Sequence, residues 1–190
     1  VDLFTSCLKS LKKVGNPISM EEVLYISENN LSYPPNSFAI TFDDGFENNV
    51  SVAAPVLIDL KIPATIYITS KFVDENEMSW IDKIEYVVQE AEPCKLSFDW
   101  AVSDFIINDK ESKINFIKEV RSYVKNTSSC NPNLFADKIC SRFNRSGKII
   151  SNDQLDLKMS WDDVINANQN EFLTIGGHSH THPILSFLSS

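Results

Sequence analysis

Leu3, Phe4, Cys7, Leu8 and Leu11 recur at the spacing of one helical face and Gly15 follows as a stop, so residues 2 to 13 are predicted to form an amphipathic helix. Ser19 with Glu22 makes a capping box that opens a second short helix through Val23, Leu24 and Ile26. After a turn-rich stretch containing Pro34-Pro35, the run Phe38-Ala39-Ile40-Thr41-Phe42 is short, apolar and bounded by turn signals, the pattern of a buried strand. Val50, Ala53, Ala54, Leu57 and Ile58 then mark a helix over about 49 to 60, in which Pro55 is tolerable only near the start. Ala64-Thr65-Ile66-Tyr67-Ile68 is the next strand. Strand, helix and strand at this spacing predict a right-handed βαβ unit with parallel strands, whose functional residues lie beyond the strands' carboxyl ends.

From about 78 to 168 the pattern turns mainly helical. Trp80, Ile81, Ile84, Val87 and Val88 form one stripe and Ile114, Ile117, Val120 and Val124 another. Leu134, Phe135 and Ile139 suggest a third helix, and Ser160 with Asp163 caps a fourth. A short extended piece is expected near Lys95 to Trp100. Phe172-Leu173-Thr174-Ile175 returns as a strand, and Gly176-Gly177, which permit unusual dihedrals, lead into His178.

The composition fits one soluble globular domain: 190 residues, of which 43% are hydrophobic. A net charge of -9 without a long Lys/Arg run argues against nucleic acid as a partner. No apolar stretch nears the roughly 20 residues of a transmembrane segment. No signal-peptide pattern is visible either, so a cytoplasmic location is the default expectation. Cys7, Cys94, Cys130 and Cys140 lack CxxC spacing and read as free, mostly packed thiols, Cys130 and Cys140 being the sole plausible local bridge.

The chemistry concentrates in two places. Asp43-Asp44-Gly45 closes one apolar run, and all three histidines of the chain fall in His178-Ser179-His180-Thr181-His182. Asp-Asp-Gly alone is a common turn, but paired carboxylates at the end of a buried strand need a metal, a cation or hydrogen bonds to compensate them. Imidazole nitrogens together with a carboxylate suit a divalent ion such as zinc. One aspartate can then bind the metal while its neighbour takes a proton from water. Pro183 and the two glycines make the histidine segment a strand-end loop, unlike the helix of an HExxH site. In extended backbone His178, His180 and His182 would share one face, so spacing does not choose among them.

Thr41-Phe42-Asp43-Asp44-Gly45 and His178-Ser179-His180-Thr181-His182-Pro183 resemble the first and second motifs of the polysaccharide deacetylase family, the NodB-homology or carbohydrate esterase family 4 domain. Pro63-Ala64-Thr65 and Met159-Ser160-Trp161 also sit where many members place similar segments, and the resemblance covers about residues 15 to 190. It implies an α/β fold, a distorted (β/α) barrel, with a mainly helical insertion at about 78 to 168. It implies Asp44, His178 and His182 as metal ligands, Asp43 as catalytic base, and His180 in a variable position, where it faces substrate or supports the ligands, the alternative being that it replaces one of them. The implied activity is hydrolysis of N-acetyl, or O-acetyl, groups on a carbohydrate substrate. The family's later motifs, with an arginine that orients the base and a histidine acid, have no match before Ser190. The chain is therefore expected to be a truncated, N-terminal portion of the domain, with about three barrel strands and a tendency to self-associate. Hydrolysis of a cyclic amide or imide on the same fold, and a non-catalytic glycan-binding module, are the competing readings.

Overall fold

The computed structural model describes residues 1–150 and 153–188, and it is an α/β structure of two compact units. The first unit comprises Val1–Asn76 and Asn152–Thr181, the second Glu77–Ser151 with the last stretch of the chain.

The first unit opens with helix α1 (Asp2–Val14), where only Leu8 is buried while Leu3, Cys7 and Leu11 stay exposed. The predicted apolar stripe is thus only half used. Gly15 ends this helix in extended, not left-handed, backbone. Strand β1 (Asn16–Pro17) pairs in parallel with β2 (Ser37–Phe38). Between them lies α2 (Met20–Glu28), opened by the expected capping box of Ser19 and Glu22. The run 38–42 is interrupted at Ala39, and its second part, β3 (Ile40–Phe42), joins a different sheet.

That sheet is the frame of the site. β3 pairs in parallel with β4 (Ala64–Ile68), and β4 pairs in parallel with β7 (Leu173–Gly177), in the order β3-β4-β7. Ile40 lies opposite Ala64, and Ala64 opposite Leu173, so all three strands start at the same level, and β4 and β7 run two residues beyond the end of β3. The sheet is open, and no closed barrel forms among the described residues. The segment joining β3 to β4 resolves its proline by changing pitch: a π-helical turn over Asn49–Ala53 gives way to α3 (Ala54–Asp59), leaving Pro55 in the first turn, where its missing N–H costs nothing. Leu57, Ile62, Ile66 and Met159 centre the core of this unit. Helix α4 (Ser70–Glu75) follows β4 directly, and α8 (Trp161–Asn168) opens with the capping box of Ser160 and Asp163. The Thr174 side chain, on β7, bonds to Glu21 at the start of α2 and holds that carboxyl below the usual carboxylate range.

In the second unit α5 (Trp80–Gln89), α6 (Lys110–Asn126) and α7 (Pro132–Arg142) bury Ile84, Val88, Val120, Val124 and Ile139 around Phe116, whereas Ile114 and Leu134, expected on the same apolar faces, are exposed. The expected extended piece is β5 (Cys94–Leu96), and it has an antiparallel partner the sequence pattern did not reveal, β6 (Phe105–Ile107). All four cysteines are free thiols; Cys140 is buried, but Cys7 is exposed where packing was expected.

Candidate metal centre

β3 and β7 deliver the two motifs from either side of β4. Beyond β3 the chain turns sharply, with Asp44 at φ 68° and Gly45 at φ 72°, a left-handed pair that aspartate and glycine tolerate better than other residues. Gly45 O accepts from Met159 N at 2.9 Å and Leu157 O accepts from Glu47 N at 2.8 Å, so the Asp-Asp-Gly turn is fastened to the strand-like segment 157–159. Beyond β7, His178 N donates to Ile68 O (2.8 Å), Ser70 N to Ser179 O (3.3 Å) and Lys71 N to His180 O (3.0 Å). The histidine loop is therefore sewn along the end of β4 and the first turn of α4.

This loop is not extended. Ser179 at φ 67° and His182 at φ 50° break the alternation that would have put all three imidazoles on one face. His178 Nε2 comes to 3.8 Å from Asp44 Oδ1. Asp44, His178 and His182 each offer a ligand atom, and these atoms all lie within 4.8 Å of one another. His180 is not among them: its Nδ1 is 2.9 Å from Ser70 Oγ. Asp43 is exposed and also stands outside the group.

The glycines before the loop have a role other than the one foreseen. Gly176 and Gly177 keep ordinary strand backbone, while a Cβ on Gly176 would fall 2.5 Å from Cδ1 and Cε1 of Tyr67. Gly176 leaves room for the Tyr67 ring of the neighbouring strand, which would have to shift to admit a Cβ there.

Sequence reasoning missed Thr69. It is fully buried at the N-cap of α4, yet its side chain makes no capping bond to that helix. Its Oγ1 lies 3.1 Å from His178 O and 3.4 Å from Asp44 Oδ1, so the hydroxyl links the backbone of one motif to the carboxylate of the other. The available signal was a threonine directly after strand β4, at the start of α4.

Chemically, a carboxylate oxygen and imidazole nitrogens converging at partly exposed strand ends can hold one divalent ion with positions left open for small ligands. The family model for polysaccharide deacetylase matches residues 31–190. No curated protein matches the chain. Among solved structures, the chain is similar to the BpsB deacetylase domain from Bordetella bronchiseptica, with 15% identity and a TM-score of 0.48 over 93% of this chain and 43% of that one. It is also similar to a de-N-acetylase from Aggregatibacter actinomycetemcomitans, with 16% identity and a TM-score of 0.33 over 93% and 84%. The chain thus spans less than half the length of the first of these.

Proposed function

The chain belongs to the polysaccharide deacetylase family, and from that premise we propose that it serves the metal-dependent removal of acetyl groups, N-linked or O-linked, from carbohydrate. The observation that carries this reading is the convergence of Asp44, His178 and His182 from two distant motifs. In this reading these three residues bind one ion, zinc by the chemistry of its mixed oxygen and nitrogen donors. When bound, such an ion supplies Lewis acidity toward an acyl carbonyl and toward water. Asp43, next to a ligand yet outside the ligand group and open to solvent, takes the proton from the attacking water at its carboxylate. Ser70 holds the His180 ring at Nδ1, which fits a residue that supports the loop or faces substrate. The three parallel strands belong, in the same reading, to the family's distorted (β/α) barrel, with residues 78 to 168 largely an insertion.

The test is metal content and acetate release, measured in parallel. Wild-type protein purified without added metal carries about one zinc per chain, and His178→Ala or His182→Ala abolishes that stoichiometry. In a full-length enzyme, Asp43→Asn keeps the metal and loses roughly two to four orders of magnitude in acetate release from N-acetylglucosamine oligomers, the usual worth of a general base. Asp44→Asn loses the metal itself. Unchanged zinc in both histidine variants removes the ligand assignment, and zinc binding without acetate release from any acetylated glycan favours a binding module.

A further inference from the structure

The second unit contains a cleft that the deacetylase reading does not use. The loop between β5 and β6 carries Phe98, Asp99 and Trp100, and together with Tyr123 of α6 and Phe135, Lys138 and Arg142 of α7 it encloses a cavity of about 490 Å³, within the usual size range of small-ligand pockets. Four aromatic rings, of Phe98, Trp100, Tyr123 and Phe135, contribute to walls that are about half polar. The Trp100 ring centre lies 5.0 Å from that of Tyr123, 5.6 Å from Phe135 and 5.5 Å from Phe98, so each ring is fixed by its neighbours. The indole N–H of Trp100 is buried and has no acceptor among the described residues.

The rim is charged. Arg142 stands 5.7 Å over the Phe98 ring and donates to Ser97 O at 3.0 Å, which leaves most of its donors available in a fixed position. Lys138 is one helical turn earlier on the same helix and is also exposed. Two cations against the single Asp99 make this a locally positive cleft on a chain of net charge -9. A second cavity, of about 530 Å³, shares Trp100 and Tyr123 as lining and adds the polar side chains of Ser122 and Asn126 with the exposed carboxylate of Glu119, so the positive charge is confined to the end at Lys138 and Arg142.

We infer that this cleft is a binding subsite for an acidic sugar residue within an oligosaccharide. A pyranose ring presents C–H faces that pack on aromatic rings, hydroxyls that bond to polar rims, and, when it carries a carboxylate, an anion for Lys138 and Arg142. The adjoining cavity gives the next ring of the chain a place against the same aromatic wall, which a single small anion would not need. The inference rests on the proposed deacetylase reading for its choice of a glycan as the ligand.

The experiment is calorimetric titration in the presence of chelator, so that the metal centre makes no contribution, using a glucuronate-containing disaccharide, its neutral glucose counterpart and adenosine monophosphate. The acidic disaccharide binds saturably, at least fivefold more tightly than the neutral one, with quenching of tryptophan fluorescence that is lost in Trp100→Phe. Lys138→Gln, a surface change remote from the core, weakens it at least fivefold with an unaltered melting curve, and Arg142→Gln does the same. No saturable binding of the acidic disaccharide overturns the inference, as does equal affinity in Lys138→Gln. Tighter binding of adenosine monophosphate overturns the choice of a sugar. A chain that binds the acidic disaccharide here but carries no zinc in Asp44 and His178 would sink the catalytic reading while leaving this cleft in place.

Discussion

Replacing Thr69 by Val tests whether the site is organised as described. The side chain is fully buried and its hydroxyl does not cap α4, so removing the hydroxyl affects the metal centre rather than the helix start. A hydroxyl has one proton to donate, and the 3.1 Å contact with His178 O is better made than the 3.4 Å contact with Asp44 Oδ1. A well-made hydrogen bond to a charged group contributes about 1.5–3 kcal/mol; for this shared, longer bond the low end, about 1.5 kcal/mol, sets an upper value, roughly a tenfold change in affinity. That equals the low end of the roughly 10–100-fold losses that follow removal of groups orienting metal ligands. Thr69→Val should therefore bind zinc about tenfold more weakly in competition with a chromophoric chelator, whereas Thr69→Ser, which keeps the hydroxyl, should stay within about threefold. Urea unfolding of the metal-free proteins separates the two roles, since the lost backbone contact alone costs Val about 1 kcal/mol of stability. If the Val variant loses stability but keeps full zinc affinity, or if Ser binds as weakly as Val, the hydroxyl does not organise the ligands.

Two further expectations concern packing. Gly176→Ala should destabilise the protein by about 1–3 kcal/mol in denaturant unfolding, because its Cβ would meet the Tyr67 ring at 2.5 Å. Gly177→Ala, with nothing within 4 Å of the added atom, should be close to neutral, and equal effects of the two changes would refute the contact. Burial pushes the Cys140 thiol up to about 11, so at pH 8 it stays protonated and slow to alkylate. Exposed Cys7 should react with iodoacetamide first by peptide mapping, and Cys140 only after denaturation; labelling of both at the same rate would contradict the burial.

Where an element owns a full apolar face, its sequence was enough. Ile84, Val87 and Val88, or Val120 and Val124, repeat at helical spacing and are buried as that repeat requires. Elements held by their surroundings were not legible. α4 is six residues long with no side-chain cap, and β6 is three residues that are ordered by pairing with β5. The two aspartates and three histidines stood out because carboxylate and imidazole are rare at strand ends; the family resemblance named Asp44, His178 and His182 among them, and the structure brings a ligand atom of each within 4.8 Å of the others. The choice among the three histidines was hidden in backbone angles: positive φ at Ser179 and His182 turns His180 toward Ser70, which no side-chain alternation could disclose. Thr69 escaped because a threonine directly after a strand is unremarkable until its hydroxyl is seen to face two motifs.

The order β3-β4-β7 has a consequence for how the protein is made. β4 and β7 are neighbours in the sheet, yet Ala64 and its partner Leu173 are separated by roughly a hundred residues, and closing such a loop costs about 4 kcal/mol of chain entropy before any contact across it forms. The helices of residues 77–151 meet through far shorter separations. Long-range pairing of this kind slows folding. On this topology the arrival of β7, which carries His178 to Asp44, is expected to be a late event of folding. Metal capture by the proposed ligands would then report the completion of the fold.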